Sequence, residues 1–185
     1  MNYAKSLLLL LSLSLLFTQC KEQQEQKAPS YTIAQEQIEV WDVAIEQVLE
    51  LADAMPDELM NFRPHDSMRS FAEQLIHIGQ SSEIITNLFL KDIPRPDNVP
   101  VINAANMTKA DIKSYIKEKL EIARATMASM SNKELLNEEV TSFAGNKMTR
   151  LEGMQFVHDH LTNHKAKANL YMRLAGQIPP KYKYY

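Results

Sequence analysis

Two histidines four residues apart, His160 and His164, are the residues in this chain most able to do chemistry. They lie in the segment Phe156–His164, which holds three of the five histidines. Residues at this spacing stack on one face of an α-helix, so two imidazoles can reach one metal ion. His158 lies about 200° around the helix from His160, so it cannot join the same site unless the helix breaks. The pair alone is a weak indication, because ordinary core and surface histidines also produce it.

His77 is a third candidate ligand, on a separate predicted helix. It sits beside the apolar stripe of that helix, near the edge of the core. Taken alone, it is better explained as a hydrogen-bonded histidine, because buried imidazoles need polar partners. His160 and His164 also face inward, and three inward histidines on two helices favour one shared metal ion.

Composition excludes several other kinds of site. The chain has 185 residues, one cysteine, four glycines and a net charge of −3. One cysteine excludes an internal disulfide framework and a cysteine-based zinc cluster, which leaves His, Asp and Glu as ligands. Four glycines provide no Gly-rich phosphate loop, and the net charge indicates no nucleic-acid partner.

The N-terminal residues have the pattern of a targeting segment. Lys5 precedes an apolar run, Ser6–Phe17, which is too short for a comfortable membrane span. Cys20 follows closely, and this ending resembles a bacterial lipoprotein signal, in which the cysteine becomes the lipidated first residue. Gln19 stands where a small residue is usual, and plain secretion or a free cysteine are the alternatives.

We therefore expect a signal peptide over residues 1–19 and a flexible polar tether over residues 20–30. A single domain is expected over residues 31–185. Lipid on Cys20 would hold that domain at a membrane without a spanning helix. The predicted location is extracytoplasmic, either on the periplasmic side or at the cell surface.

Four helices are predicted from their start signals. Capping boxes begin at Thr32, Ser70, Thr108 and Thr149. Behind each box, apolar residues recur at three- and four-residue steps. The four stripes are Ile38, Trp41, Ile45, Val48 and Ala52; Phe71, Leu75, Ile78, Ile85 and Phe89; Ile112, Ile116, Leu120, Ala123 and Met127; and Met154, Val157, Leu161, Ala168 and Tyr171.

The ends of these helices are predicted from Pro and Gly. The first helix should stop at about Ala54, the second before Pro94, and the last at Gly176. No segment alternates with period two for long enough to predict a strand. The fold class is therefore all-α, a four-helix bundle, with long polar connections over residues 93–107 and 131–148 that allow crossovers.

Three segments resemble the DinB-like (DinB/YfiT) proteins. Ser70–Ile78 is similar to their second-helix motif, Phe156–Pro180 to their last helix and the prolines after it, and Asn61–Pro64 to the loop before the second helix. The resemblance implies a four-helix bundle that binds a divalent metal on His77, His160 and His164. Lys167 is a departure, because many members carry a Gln at that position.

A site of three neutral histidines would leave a fourth position open on a tetrahedral metal, which is typical of catalytic sites. Such a metal lowers the pKa of a bound water or thiol. Zinc or nickel is expected, with iron, manganese or copper as alternatives. The resemblance implies hydrolysis, thiol transfer or isomerisation of an unidentified small molecule. The carboxylates of Glu73, Glu152 and Asp159 are candidates to orient the rings, although each is better explained as a helix cap or surface charge.

Two other functions are consistent with the sequence. One is a non-catalytic surface lipoprotein that binds a metal or a small ligand. The other is a helical interaction module whose histidines are satisfied without metal. A homodimer is a further candidate assembly in each case.

Overall fold

A computed structural model describes residues 31–184 of the chain. The predicted signal peptide (1–19) and the tether (20–30), which includes Cys20, lie outside the described residues. The described part contains four long helices, a short helix and two short strands. They are α1 (Ile33–Ala54), α2 (Phe71–Lys91), α3 (Lys109–Ala128), α4 (Asn132–Asn137), β1 (Glu139–Thr141), β2 (Lys147–Thr149) and α5 (Arg150–Leu174), with 3-10 turns at Asp57–Leu59 and Ala104–Asn106. The all-α fold class is confirmed.

The long helices begin where the capping boxes predict. In each box the Ser or Thr side chain accepts from the backbone of the third helical residue, whose side chain accepts in return. α1 ends at Ala54, as expected. α2 ends at Lys91, three residues before Pro94, where Asp92 takes a left-handed conformation with φ 53°. α5 ends just before Gly176, whose φ is 76°.

The four long helices pack in an order that differs from their order along the chain. α2 packs mainly against α3 and α5, and α1 also packs mainly against α3 and α5. The consecutive helices α1 and α2 are therefore diagonal, and residues 55–70 form a crossover. All twenty residues of the predicted stripes are buried in one core. The described residues from Thr32 onwards form one compact unit.

The connection before α5 corrects the sequence prediction. Residues 131–148 are not a plain loop, because Ser131 and Glu134 form a fifth capping box at the start of α4. β1 and β2 then form an antiparallel hairpin in which Val140 faces Met148. The prediction of no strand was wrong here because strands of three residues are too short to show a period of two. Leu135 and Val140 are buried in the core, so this segment is a packed part of the domain.

The C-terminal tail packs along α1. Lys183 forms ion pairs with Glu46 and Glu50 at 2.5 and 2.6 Å. The Gln47 side chain donates to the Lys183 carbonyl at 2.9 Å. Between residues 31 and 184, no helix combines the length and the apolar character needed to cross a bilayer.

Candidate metal centre

The three predicted ligands meet where α2 packs against α5. His77 comes from α2, while His160 and His164 lie one turn apart on α5. Each of the three can offer one ring nitrogen so that these atoms all lie within 4.8 Å of one another. The ring centroids of His77 and His164 are 4.3 Å apart, and those of His160 and His164 are 4.6 Å apart. The cluster could therefore hold a metal ion.

The hydrogen bonding of the cluster is incomplete. Nε2 of His77 lies 3.2 Å from Nε2 of His164, so only one proton can lie between these two nitrogens. Nε2 of His160 is buried and has no hydrogen-bond partner among the described residues. A buried polar atom without a partner is costly. A divalent cation would satisfy the lone pairs that face one another here, and the residues present fit such an ion.

The electrostatics keep the cluster uncharged. Burial, together with the nearby positive charges of Arg69 and Lys167, lowers the pKa of His77 to about 3 and that of His164 to about 4. Burial also lowers the pKa of His160. All three imidazoles are thus neutral near pH 7, which is the form that binds metals.

The residue that orients His164 is Gln74, which the sequence analysis did not identify. Its side chain is buried, with Nε2 2.6 Å from Nδ1 of His164 and 3.2 Å from the His164 carbonyl oxygen. These contacts leave Nε2 of His164 facing the cluster. Gln74 precedes His77 by three residues, so the helical spacing could have placed it on the same side of α2.

Two of the three carboxylates considered from the sequence form hydrogen bonds elsewhere. Glu73 accepts from the Ser70 backbone and from Arg63 at 2.5 Å, and Glu152 accepts from Thr149. Asp159 is exposed, and its negative charge only partly offsets the lowering of the His160 pKa by burial. Helix capping explains Glu73 and Glu152, as the alternative interpretation expected.

The two remaining histidines lie away from the cluster. His158 is half-buried near the ring of Trp41, with centroids 6.4 Å apart, and burial lowers its pKa. This agrees with its predicted position on a different side of α5. His65 is exposed and its Nδ1 lies 2.9 Å from the Ser67 hydroxyl.

A large cavity opens beside the cluster. Its volume is about 860 Å³, and His77 and His160 form part of its wall. Most of the other lining side chains are apolar. The apolar side chains come from α2, from the segment between α2 and α3, from the hairpin and from α5. A small molecule in this cavity would lie against two of the three histidines.

Comparison with known proteins agrees with this architecture. A DinB-like protein from Bacillus subtilis has a TM-score of 0.64 at 20% sequence identity, covering 80% of this chain and 96% of that one. A DinB-like protein from Bacillus cereus has a TM-score of 0.65 at 15% identity, covering 82% and 98%. At these identities the likeness concerns the fold. A comparison with curated proteins gives no match. The family model of the DinB superfamily matches residues 41–168, and the chain therefore belongs to the DinB superfamily.

Proposed function

We propose that this protein is a divalent-metal-dependent enzyme with His77, His160 and His164 as the metal ligands. The observation that carries the proposal is the buried Nε2 of His160, which has no partner among the described residues and belongs to a neutral three-histidine cluster beside a cavity. Three imidazoles suit zinc or nickel best, with iron and manganese as further candidates. When bound, the metal would supply a lowered pKa for a water or thiol in the cavity.

The residues of the chain have separate roles in this proposal. The three imidazoles supply neutral nitrogen ligands, and Gln74 fixes the orientation of the His164 ring. The apolar side chains of the cavity wall would shield part of a bound substrate from water, which strengthens electrostatic interactions near the cluster. Because Glu73 is held by Arg63 and the Ser70 backbone, we assign no dedicated general base. The reaction class is hydrolysis or thiol transfer on a small-molecule substrate.

A second function is a non-catalytic lipoprotein that binds a metal or a small ligand. The absence of a free carboxylate from the cavity wall favours it, because Glu73 is the one acidic residue that lines the described cavity. The two functions differ in turnover. We would assay the metal-loaded protein on panels of esters, amides and thiol adducts, with and without an added thiol. Turnover that is lost in His164→Ala supports the enzyme, whereas full metal loading without turnover on any panel supports the binding protein.

We also propose that the domain is anchored extracytoplasmically by lipid on Cys20. The support is the sequence pattern of residues 1–20. Metabolic labelling of the full chain with a radioactive fatty acid should label the wild type and not Cys20→Ser. Equal labelling of the two proteins would contradict the anchor. Static light scattering on residues 21–185 would measure whether two copies associate into a homodimer.

A further inference from the structure

The wall of the cavity beside the histidine cluster is mainly apolar, and part of it is exposed. Its apolar residues include Ile76, Ile84, Val101, Ile102, Phe143 and Phe156. Val101 is 95% exposed, Phe143 56% and Phe156 39%. Exposed apolar side chains that converge on a cavity are typical of a ligand-binding surface. They indicate a ligand with an apolar body.

The charged residues of the same wall are mostly cations. Arg69 and Arg95 line the cavity, and neither forms an ion pair with any residue between 31 and 184. Glu73 is the only acidic residue on this wall, and its carboxylate is paired with Arg63. The cavity therefore carries an excess of positive charge, although the whole chain has a net charge of −3.

Of the two arginines on the wall, Arg69 is the one whose charge acts on the histidines of the cluster. Its charge acts on His77, His160 and His164, as does the charge of the exposed Lys167, whereas Arg95 has no such effect. Arg69 directly precedes Ser70, the N-cap of α2, so the capped helix start positions its backbone. A guanidinium without an ion-pair partner is suited to a carboxylate or another anionic group.

We propose that the cavity binds an amphipathic anion, with its negative group at Arg69 beside the histidine cluster and its apolar body against Phe143, Phe156 and Val101. This inference rests on the proposed function, because it names the substrate class of the same site. A cationic ligand would meet Arg69, Arg95 and the cluster metal as like charges. A neutral ligand would leave the Arg69 guanidinium without an ion-pair partner. The cavity volume of about 860 Å³ accommodates a chain of about eight carbons.

The test is a set of calorimetric titrations on residues 21–185 loaded with nickel, with the bound nickel counted in each sample. The ligands are octanoate, acetate, octan-1-ol and octylammonium. Octanoate should bind at least about tenfold more tightly than acetate, because its longer alkyl chain buries more apolar surface in the cavity. It should also bind at least about tenfold more tightly than octylammonium, because the charge is reversed.

The matched variants are Arg69→Gln and Arg173→Gln. Arg173 is exposed on α5 and lines a different cavity with Lys165. Arg69→Gln should weaken octanoate binding about tenfold and leave octan-1-ol binding unchanged, as expected for a lost charge-assisted hydrogen bond. Arg173→Gln should bind both ligands like the wild type.

Equal affinities for octanoate and octylammonium, or no effect of Arg69→Gln on octanoate, would overturn the inference. If about one nickel per chain is present in those samples, the metal proposal is unaffected by that result. A protein that takes up no nickel contradicts the proposed function instead. The same titrations on chelator-treated protein then decide whether the cavity selects anions.

Discussion

Nε2 of His77 lies 3.2 Å from Nε2 of His164, although the two residues are 87 positions apart in the chain. The contact exists because α2 and α5 pack side by side and present these rings at the same level. A shift of either helix by one turn would move a ring by about 5.4 Å and separate the nitrogens. The histidine cluster therefore depends on the packing of α2 against α5.

Loss of the Gln74 side chain should weaken metal binding without removing a ligand. Gln74 contacts Nδ1 of His164 at 2.6 Å and holds the ring. We expect Gln74→Leu to lower zinc affinity by about tenfold or more, as is typical for outer-shell partners of metal-binding histidines. Competition with a chelating indicator dye measures the affinity.

The control for this variant is Gln80→Leu. Gln80 lies on the same helix and lines the cavity, but its side chain donates to the Pro100 carbonyl. Its zinc affinity should match that of the wild type. Unchanged affinity in Gln74→Leu would show that Gln74 does not orient the ring.

Glu73 should make the stability of the protein sensitive to acid. Burial raises the pKa of its carboxyl, but the hydrogen bonds from the Ser70 backbone and Arg63, with the charges of Arg63 and Arg69, together outweigh burial, and the pKa lies below its usual 4.5. A lowered folded pKa means that the stabilisation is present above pH 4.5 and is lost as the pH falls through the folded value. Glu73→Gln should therefore be less stable than wild type at pH 7 by about 1 kcal/mol, and the difference should shrink towards pH 3.

Urea unfolding at the two pH values measures this difference, and Glu152→Gln is the matched control. Glu152 closes the equivalent capping box with Thr149 and has no arginine partner among residues 31–184. Its substitution should change the stability at pH 7 by less than that of Glu73. Equal losses for the two variants would show that the Arg63 pair contributes nothing measurable.

A methyl group at Gly153 should disturb the contact between α5 and α2. A Cβ built at Gly153 would lie 2.8 Å from Cβ of Phe89, which is close to the α2 backbone and cannot easily move. Gly153→Ala would gain about 1 kcal/mol of helix propensity. We expect overpacking to outweigh this gain and to destabilise the protein by about 1–2 kcal/mol net, with weaker zinc binding as a further effect.

The control is Gln155→Ala, an exposed position on the same helix. It should unfold at the same urea concentration as the wild type or slightly higher. A Gly153→Ala protein as stable as the wild type would show that the two helices can separate at little cost.

Much of the fold follows from local signals in the sequence. The boxes at Thr32, Ser70, Thr108 and Thr149 mark helix starts because each satisfies backbone N–H groups that would otherwise lack partners. The stripes behind them mark the buried faces, since only the core side of a helix must be apolar. The box at Ser131 does not by itself predict a helix, because the helix that follows it has only six residues and too few turns to show a stripe.

The arrangement of the helices and the details of the site are harder to predict from the sequence. The diagonal placement of α1 and α2 depends on which stripes fit together, and capping and periodicity carry no information on that choice. The histidine ligands were predicted from spacing and family resemblance. Gln74 was not, because a buried Gln on α2 acquires its role only when α5 brings the His164 ring to it.

Metal content tests the central claim most directly. Residues 21–185 would be purified without a His tag or chelator, incubated with zinc or nickel, and analysed by mass spectrometry beside His164→Ala and His158→Gln. His158 lies on the same helix but outside the cluster, which makes it the matched control. The account predicts about one divalent metal per chain in the wild type and in His158→Gln, and loss of that metal in His164→Ala. Absence of metal from the wild type, or equal metal in all three proteins, would contradict it.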